Sequence, residues 1–181
     1  MLNDNNQCNG SALASILYLL KDFLYHVEAF RCINSKIDEL PGEREFWVYT
    51  NDAHIMNAVI CWCKVFANYK DKTYWDKIFH NSKSDDAGKM FFGILNEHGI
   101  SEEKYKELRK QMKEFRDKYI AHSDNYKSPV PHLDCACEVV FCFDILLRTH
   151  TFSIFGSAQF SKLVEEYRGD VVKTIRLIIA K

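Results

Sequence analysis

The stretch Phe115-Arg116-Asp117-Lys118-Tyr119-Ile120-Ala121-His122-Ser123-Asp124 brings a guanidinium, a carboxylate and an imidazole into one short segment. Those are the groups that cleavage of RNA without a metal requires. The 2′-hydroxyl of RNA attacks the adjacent phosphorus once a base removes its proton and the crowded anionic phosphorane is stabilised. A histidine near its ordinary pKa serves as general base or acid at neutral pH. An arginine fork holds two phosphate oxygens with a charge that does not titrate. On these grounds His122 is expected to carry the proton transfer and Arg116 to hold the phosphate. Asp117 is expected either to fix the tautomer of the ring or to orient Arg116.

The element that must position these groups is a helix. Leu108, Met112, Phe115 and Tyr119 recur at steps of four, three and four, which leaves Arg116, Asp117 and Lys118 pointing away from the buried stripe. Ser101 caps this helix, Glu102 and Glu103 suit its first turn, and it is expected to stop near His122. The run Ser123 to Pro131 that follows is rich in turn formers and holds two prolines, so a loop begins at the proposed base. Six helical steps separate Arg116 from His122 by ~9 Å along the axis and about a third of a turn around it. Either the helix loosens at Ala121-His122, or the same motif of a second chain completes the site. The plainer alternative makes His122 a helix C-terminal residue favoured by the macrodipole and Arg116 an ion-pair partner of Glu114 or Asp117.

The segment resembles the Arg-polar-x-x-x-x-His signature of the HEPN superfamily, especially its abortive-infection-like branch, in which Arg-Asp/Asn-Lys is followed by Ala-His and a further Asp. Arg116, the polar Asp117, His122 and Asp124 all fall in place. The resemblance implies an HEPN-like bundle acting as a metal-independent endoribonuclease, with Arg116, His122 and Asp117 as the catalytic set. It also implies a homodimer with the motif at the interface, two Arg and two His sharing one cleft. A toxin or antiviral defence effector that cuts cellular or phage RNA is the role it suggests. The rival it leaves open is a noncatalytic HEPN-fold module for dimerisation or for docking a partner, such as a nucleotidyltransferase antitoxin.

The rest of the chain reads as one domain. Its 181 residues, 47% hydrophobic and 14% aromatic, suffice for a sizeable core, and only three Pro and seven Gly interrupt hydrophobic runs at helical spacing. The expectation is all-α: a single up-and-down helical bundle of about five to seven helices over residues 1–181, with 1–10 flexible. The first helix is expected from about Ser11 to Asp38, closed by Pro41-Gly42, and the second from about Glu43 to Tyr69 with Phe46, Trp47, Ile55, Val59, Trp62 and Phe66 buried. Short helical pieces are expected near Tyr74 to His80 and Asp86 to His98, stopped by Gly99. A further helix runs from Pro131 to about Thr149, and Ser157 to Lys181 reads as two shorter helices broken at Gly169-Asp170.

Charge and cysteine usage narrow the chemistry. The net charge of -1 gives no global attraction to nucleic acid, so an RNA site must be local. Residues 101 to 122 carry seven Lys or Arg against five Asp or Glu, a surplus that serves a phosphate or an ordinary solvated helix face equally well. Seven Cys behind a polar N-terminus suit a reducing cytoplasm, and Cys61-Trp62-Cys63 and Cys135-Ala136-Cys137 lack zinc spacing. No metal and no cofactor are expected, and the six other His are scattered without ligand spacing. No apolar run approaches the ~20 residues that cross a bilayer. Gly-rich phosphate loops, Gly-x-Ser-x-Gly elbows, His-Glu-x-x-His motifs and dinucleotide fingerprints are missing from the sequence.

Overall fold

The computed structural model describes residues 7–79, 84–120, 129–150 and 158–180. It is all-helical over those residues: α1 Gln7–Lys36, α2 Arg44–Phe66, a 3-10 turn Trp75–Phe79, α3 Ser84–Glu97, α4 Glu102–Phe115 continuing as a π turn Arg116–Ile120, α5 Leu133–His150 and α6 Phe160–Ile179. No described helix is long and apolar enough to cross a membrane. The expectation of flexibility over residues 1–10 falls mostly on residues outside this description.

α1 and α2 form the most extensive helix pair, α6 lies against α1, α3 against α5, and α4 against α2. The core is aromatic. Phe66 packs between Trp62, tilted at 5.0 Å, and Phe143, edge-on at 5.5 Å, and Phe91 joins Phe143, Trp75 and Tyr105 at 5.6, 4.8 and 6.0 Å. Trp62, at the centre, donates its indole N–H to the Ala136 carbonyl of α5 over 3.3 Å, so the one polar atom of that ring is not left unpaired.

The turn that aims α4 is fixed by local backbone chemistry. At the end of α3, Ile100 N–H bonds the Leu95 carbonyl at 2.9 Å and Gly99 N–H bonds the Asn96 carbonyl at 3.0 Å. Gly99 sits at φ +74, the left-handed conformation this double closure needs. Leu95 and Ile100 are both buried, adding the apolar contact that accompanies such a stop. Two residues later Ser101 accepts the Lys104 backbone N–H with its side chain, opening α4.

Two expectations are corrected. The C-terminal region is one continuous helix, not two: α6 runs through Gly169-Asp170 without a break. A glycine costs a helix only about 1 kcal/mol, and Phe160, Val164 and Ile175 keep one buried face on both sides of it. Phe46 is not a core residue. It is 62% exposed, edge-on to Trp47, whose indole N–H reaches the Pro41 carbonyl at 2.8 Å.

Candidate active site at the end of α4

α4 delivers the candidate residues by anchoring one face and leaving the other wet. Tyr105, Leu108, Met112 and Phe115 are buried, which turns Lys106, Lys110, Lys113, Glu114 and Asp117 to solvent. At Arg116 the helix changes character. The Arg116 backbone N–H is shared between the carbonyls of Met112 and Lys113, and Arg116–Ile120 wind as a π turn. Such wider turns inside α-helices recur at functional sites, where they re-aim the side chains they carry.

Arg116 and Asp117 are brought together. Arg116 Nε and Nη2 both donate to Asp117 Oδ1, at 2.8 and 2.7 Å. Successive side chains on a regular α-helix do not face each other, and the wider turn narrows the angle between them. The guanidinium is partly sheltered while the carboxylate stays half exposed, so the arginine is the member of the pair that is held. The expectation that Asp117 orients Arg116 thus has a geometric basis. His122, like Ser123 and Asp124, lies outside the described residues, as do the side chains of Tyr119 and Ile120. Among the described residues the helix widens from Arg116 on; the Ala121-His122 position at which loosening is expected lies outside them.

The π turn lies against α2, with Arg116 within electrostatic reach of Cys63. Burial pushes the Cys63 thiol up to about 12, and Arg116 is the strongest of the charges acting the other way. Cys63 is thus a neutral wall of the site and not a nucleophile at neutral pH. Cys137 and Cys142 are likewise pushed up, to about 12 and about 11, by burial.

Beside the pair, Lys106, Arg109, Lys110, Lys113, Glu114 and Asp117 line an open groove of about 410 Å³. The cation surplus of this segment was visible in the sequence; its gathering on one face was not singled out, although steps of three and four announce it. Arg109 was missed altogether. It stacks over the Tyr105 ring at 5.9 Å and donates to the Ala67 carbonyl at the end of α2 over 3.4 Å, so it staples α4 to α2 as well as lining the groove.

A second feature was missed entirely. His26 of α1 and His54 of α2, distant in sequence, meet with their Nδ1 atoms 2.8 Å apart. Among the described residues no third metal-ligating side chain joins them. Comparison with known proteins returns nothing to set beside this arrangement: no family model, no curated protein and no solved structure matches the chain.

Proposed function

We propose that the chain is a metal-independent endoribonuclease of HEPN type that works as a homodimer. Arg116 holds the scissile phosphate and stabilises the phosphorane, with Asp117 as its positioning residue. His122 takes the proton of the 2′-hydroxyl as the 2′-oxygen bonds to phosphorus. The 5′-oxygen then leaves with a proton from an imidazolium, a role the partner's His122 fills when two copies meet around the motif. The products are a 2′,3′-cyclic phosphate and a 5′-hydroxyl. The observation that supports this reading is the Arg116–Asp117 pair, set at a π turn beside a groove whose lining carries four cations and two carboxylates. A toxin or defence role would suit such an activity.

The test is incubation of the purified protein with labelled single-stranded and structured RNA in excess EDTA, beside Arg116→Ala and His122→Ala variants. Cleavage leaving 2′,3′-cyclic phosphate ends, lost in both variants, is expected. Cleavage that persists in both removes the site.

One observation favours the second reading, a noncatalytic dimerisation module. α2 is apolar on two opposite sides. Behind its buried face, Phe46, Tyr49, Ala53, Met56 and Ile60 form an outward stripe at steps of three, four, three and four, with Phe46 and Tyr49 62% and 68% exposed. The stripe is self-complementary for a second, antiparallel copy: with Ala53 on the two-fold axis, Phe46 faces Ile60 and exposed Glu43 comes near exposed Lys64. That contact would be centred ~15 Å along α2 from Cys63 and would leave the two Arg116 apart. The two readings separate on one measurement: Tyr49→Glu/Met56→Glu abolishes dimers if the stripe is the interface, and leaves them intact if the motif is.

A further inference from the structure

The groove on α4 has a shape and charge that the two candidate catalytic groups do not need for themselves. Lys106, Lys110 and Lys113 succeed one another at one-turn intervals over ~10 Å of helix, with Arg109 beside them. The line continues directly into Asp117 and the guanidinium it holds. In a chain of net charge -1, this is a local concentration of positive charge.

Those cations are not all spent on neighbours. Lys106 pairs with Glu102 at 2.7 Å, and Arg109 is committed to Tyr105 and the Ala67 carbonyl. Lys110 and Lys113 are exposed and make no ion pair among the described residues. They sit closest to the Arg116 end.

The turn that Arg109 ties to the groove carries an exposed aromatic residue. The Ala67 carbonyl that Arg109 grips opens a short turn in which Asn68 N–H returns to the Cys63 carbonyl at 3.2 Å. Thr73 Oγ1 holds the Lys64 carbonyl at 3.1 Å. Tyr69, two residues past the gripped carbonyl, is 65% exposed on this pinned turn, followed by exposed Lys70. A row of cations combined with an exposed ring is how proteins hold single-stranded nucleic acid: the cations track phosphates and the ring stacks a base, which in a duplex is already stacked.

We infer that the α4 groove is the binding track for the single-stranded RNA flanking the scissile phosphate, with Lys110 and Lys113 on successive phosphates and Tyr69 stacking a base. The inference rests on the ribonuclease reading for its substrate and deepens it by excluding duplex RNA. A duplex carries its phosphates on two strands around a wide helix, and a single line of cations on one helix face meets few of them.

The probe is a short fluorescent 2′-O-methyl RNA, which lacks the attacking hydroxyl and so reports binding without cleavage, used alone and annealed to its complement. Wild type and His122→Ala are expected to bind the single strand alike and more tightly than the duplex. Lys110→Ala/Lys113→Ala is expected to weaken binding about tenfold and to flatten the slope of log affinity against log salt by about 1.4, two phosphates' worth for a single strand. Tyr69→Ala is expected to weaken it about tenfold with the salt slope unchanged. The positions are exposed, and thermal melts confirm that the variants fold. Equal binding by the double variant, preference for the duplex, or an equal loss in the α6 control Lys162→Ala/Lys173→Ala overturns the inference. Cleavage by wild type with KM unchanged in the groove variants overturns the groove and spares the activity; salt-sensitive groove binding without cleavage does the reverse.

Discussion

His26 and His54 share a single proton across the α1–α2 interface: with Nδ1 facing Nδ1 at 2.8 Å, one ring donates and the other accepts. Both rings are held below the ordinary histidine pKa, His26 by burial against the opposing pull of Asp22 and His54 by burial and by His26 itself. The half-buried Cys61 also lies within electrostatic reach of Asp22 and, being neutral, does not offset a second proton. The unfolded chain therefore takes up protons that the folded chain refuses. Stability is full above about pH 6.5 and declines as pH falls below it. Denaturant titrations at about pH 7.5 and about pH 5.5 should show this loss, and His54→Gln should shrink it. An equal pH response in that variant would show that the pair is not the sensor.

Glu28 is a buried hub joining three helices. It accepts from Arg31 on its own helix at 2.7 Å and from Arg168 of α6, while Arg31 reaches on to Asp134 of α5. Burial alone would raise its pKa, but the Arg168 and Arg31 guanidiniums outweigh that and hold it below the usual carboxylate range. Glu28→Gln is expected to cost about 2 kcal/mol, less than a fully buried pair because Arg168 is half exposed. The wild-type contribution is present above about pH 4.3 and is lost as pH falls through the lowered value. Chemical denaturation of the variant at neutral pH, with a midpoint unmoved, would refute the hub.

Asp117 acts through Arg116 in the proposed reaction, and its removal has a signature that a merely structural role lacks. Asp117→Ala frees the guanidinium from its 2.7 and 2.8 Å bonds and removes a negative charge from the groove. RNA should bind as well or better, while kcat falls about tenfold from lost orientation. A rise in KM with kcat unchanged would assign Asp117 to binding instead.

Gly169 offers a direct check on the continuity of α6. A Cβ placed there meets nothing within 4 Å, so Gly169→Ala should stabilise the protein by about 0.5–1 kcal/mol. Were the C-terminal region two helices broken at this point, the substitution would be neutral or harmful. A thermal melt decides.

How far the chain can be read without its structure follows from the range of each interaction. The all-helical class, the stop at Gly99 and the cap at Ser101 were legible because apolar spacing and backbone capping act within a few residues. The adjacency of Arg116 and Asp117 was legible in the same way, while His122 lies outside the described residues. The same local reasoning misplaced Gly169, because it weighed a helix breaker without the buried face that carries α6 across it. It misplaced Phe46, because apolar character does not say which side of a helix finds a neighbour.

The sequence by itself determined the helices, their caps and the identity of the groups at the end of α4, all consequences of hydrogen bonding and side-chain spacing along one short stretch. Tertiary structure decided what those groups stand beside. Contact of α4 with α2 places Arg116 near Cys63 and staples Arg109 to the Ala67 carbonyl; contact of α1 with α2 unites His26 and His54. Such pairings carry no period in the chain, because the distances that set them are closed by helices packing in space.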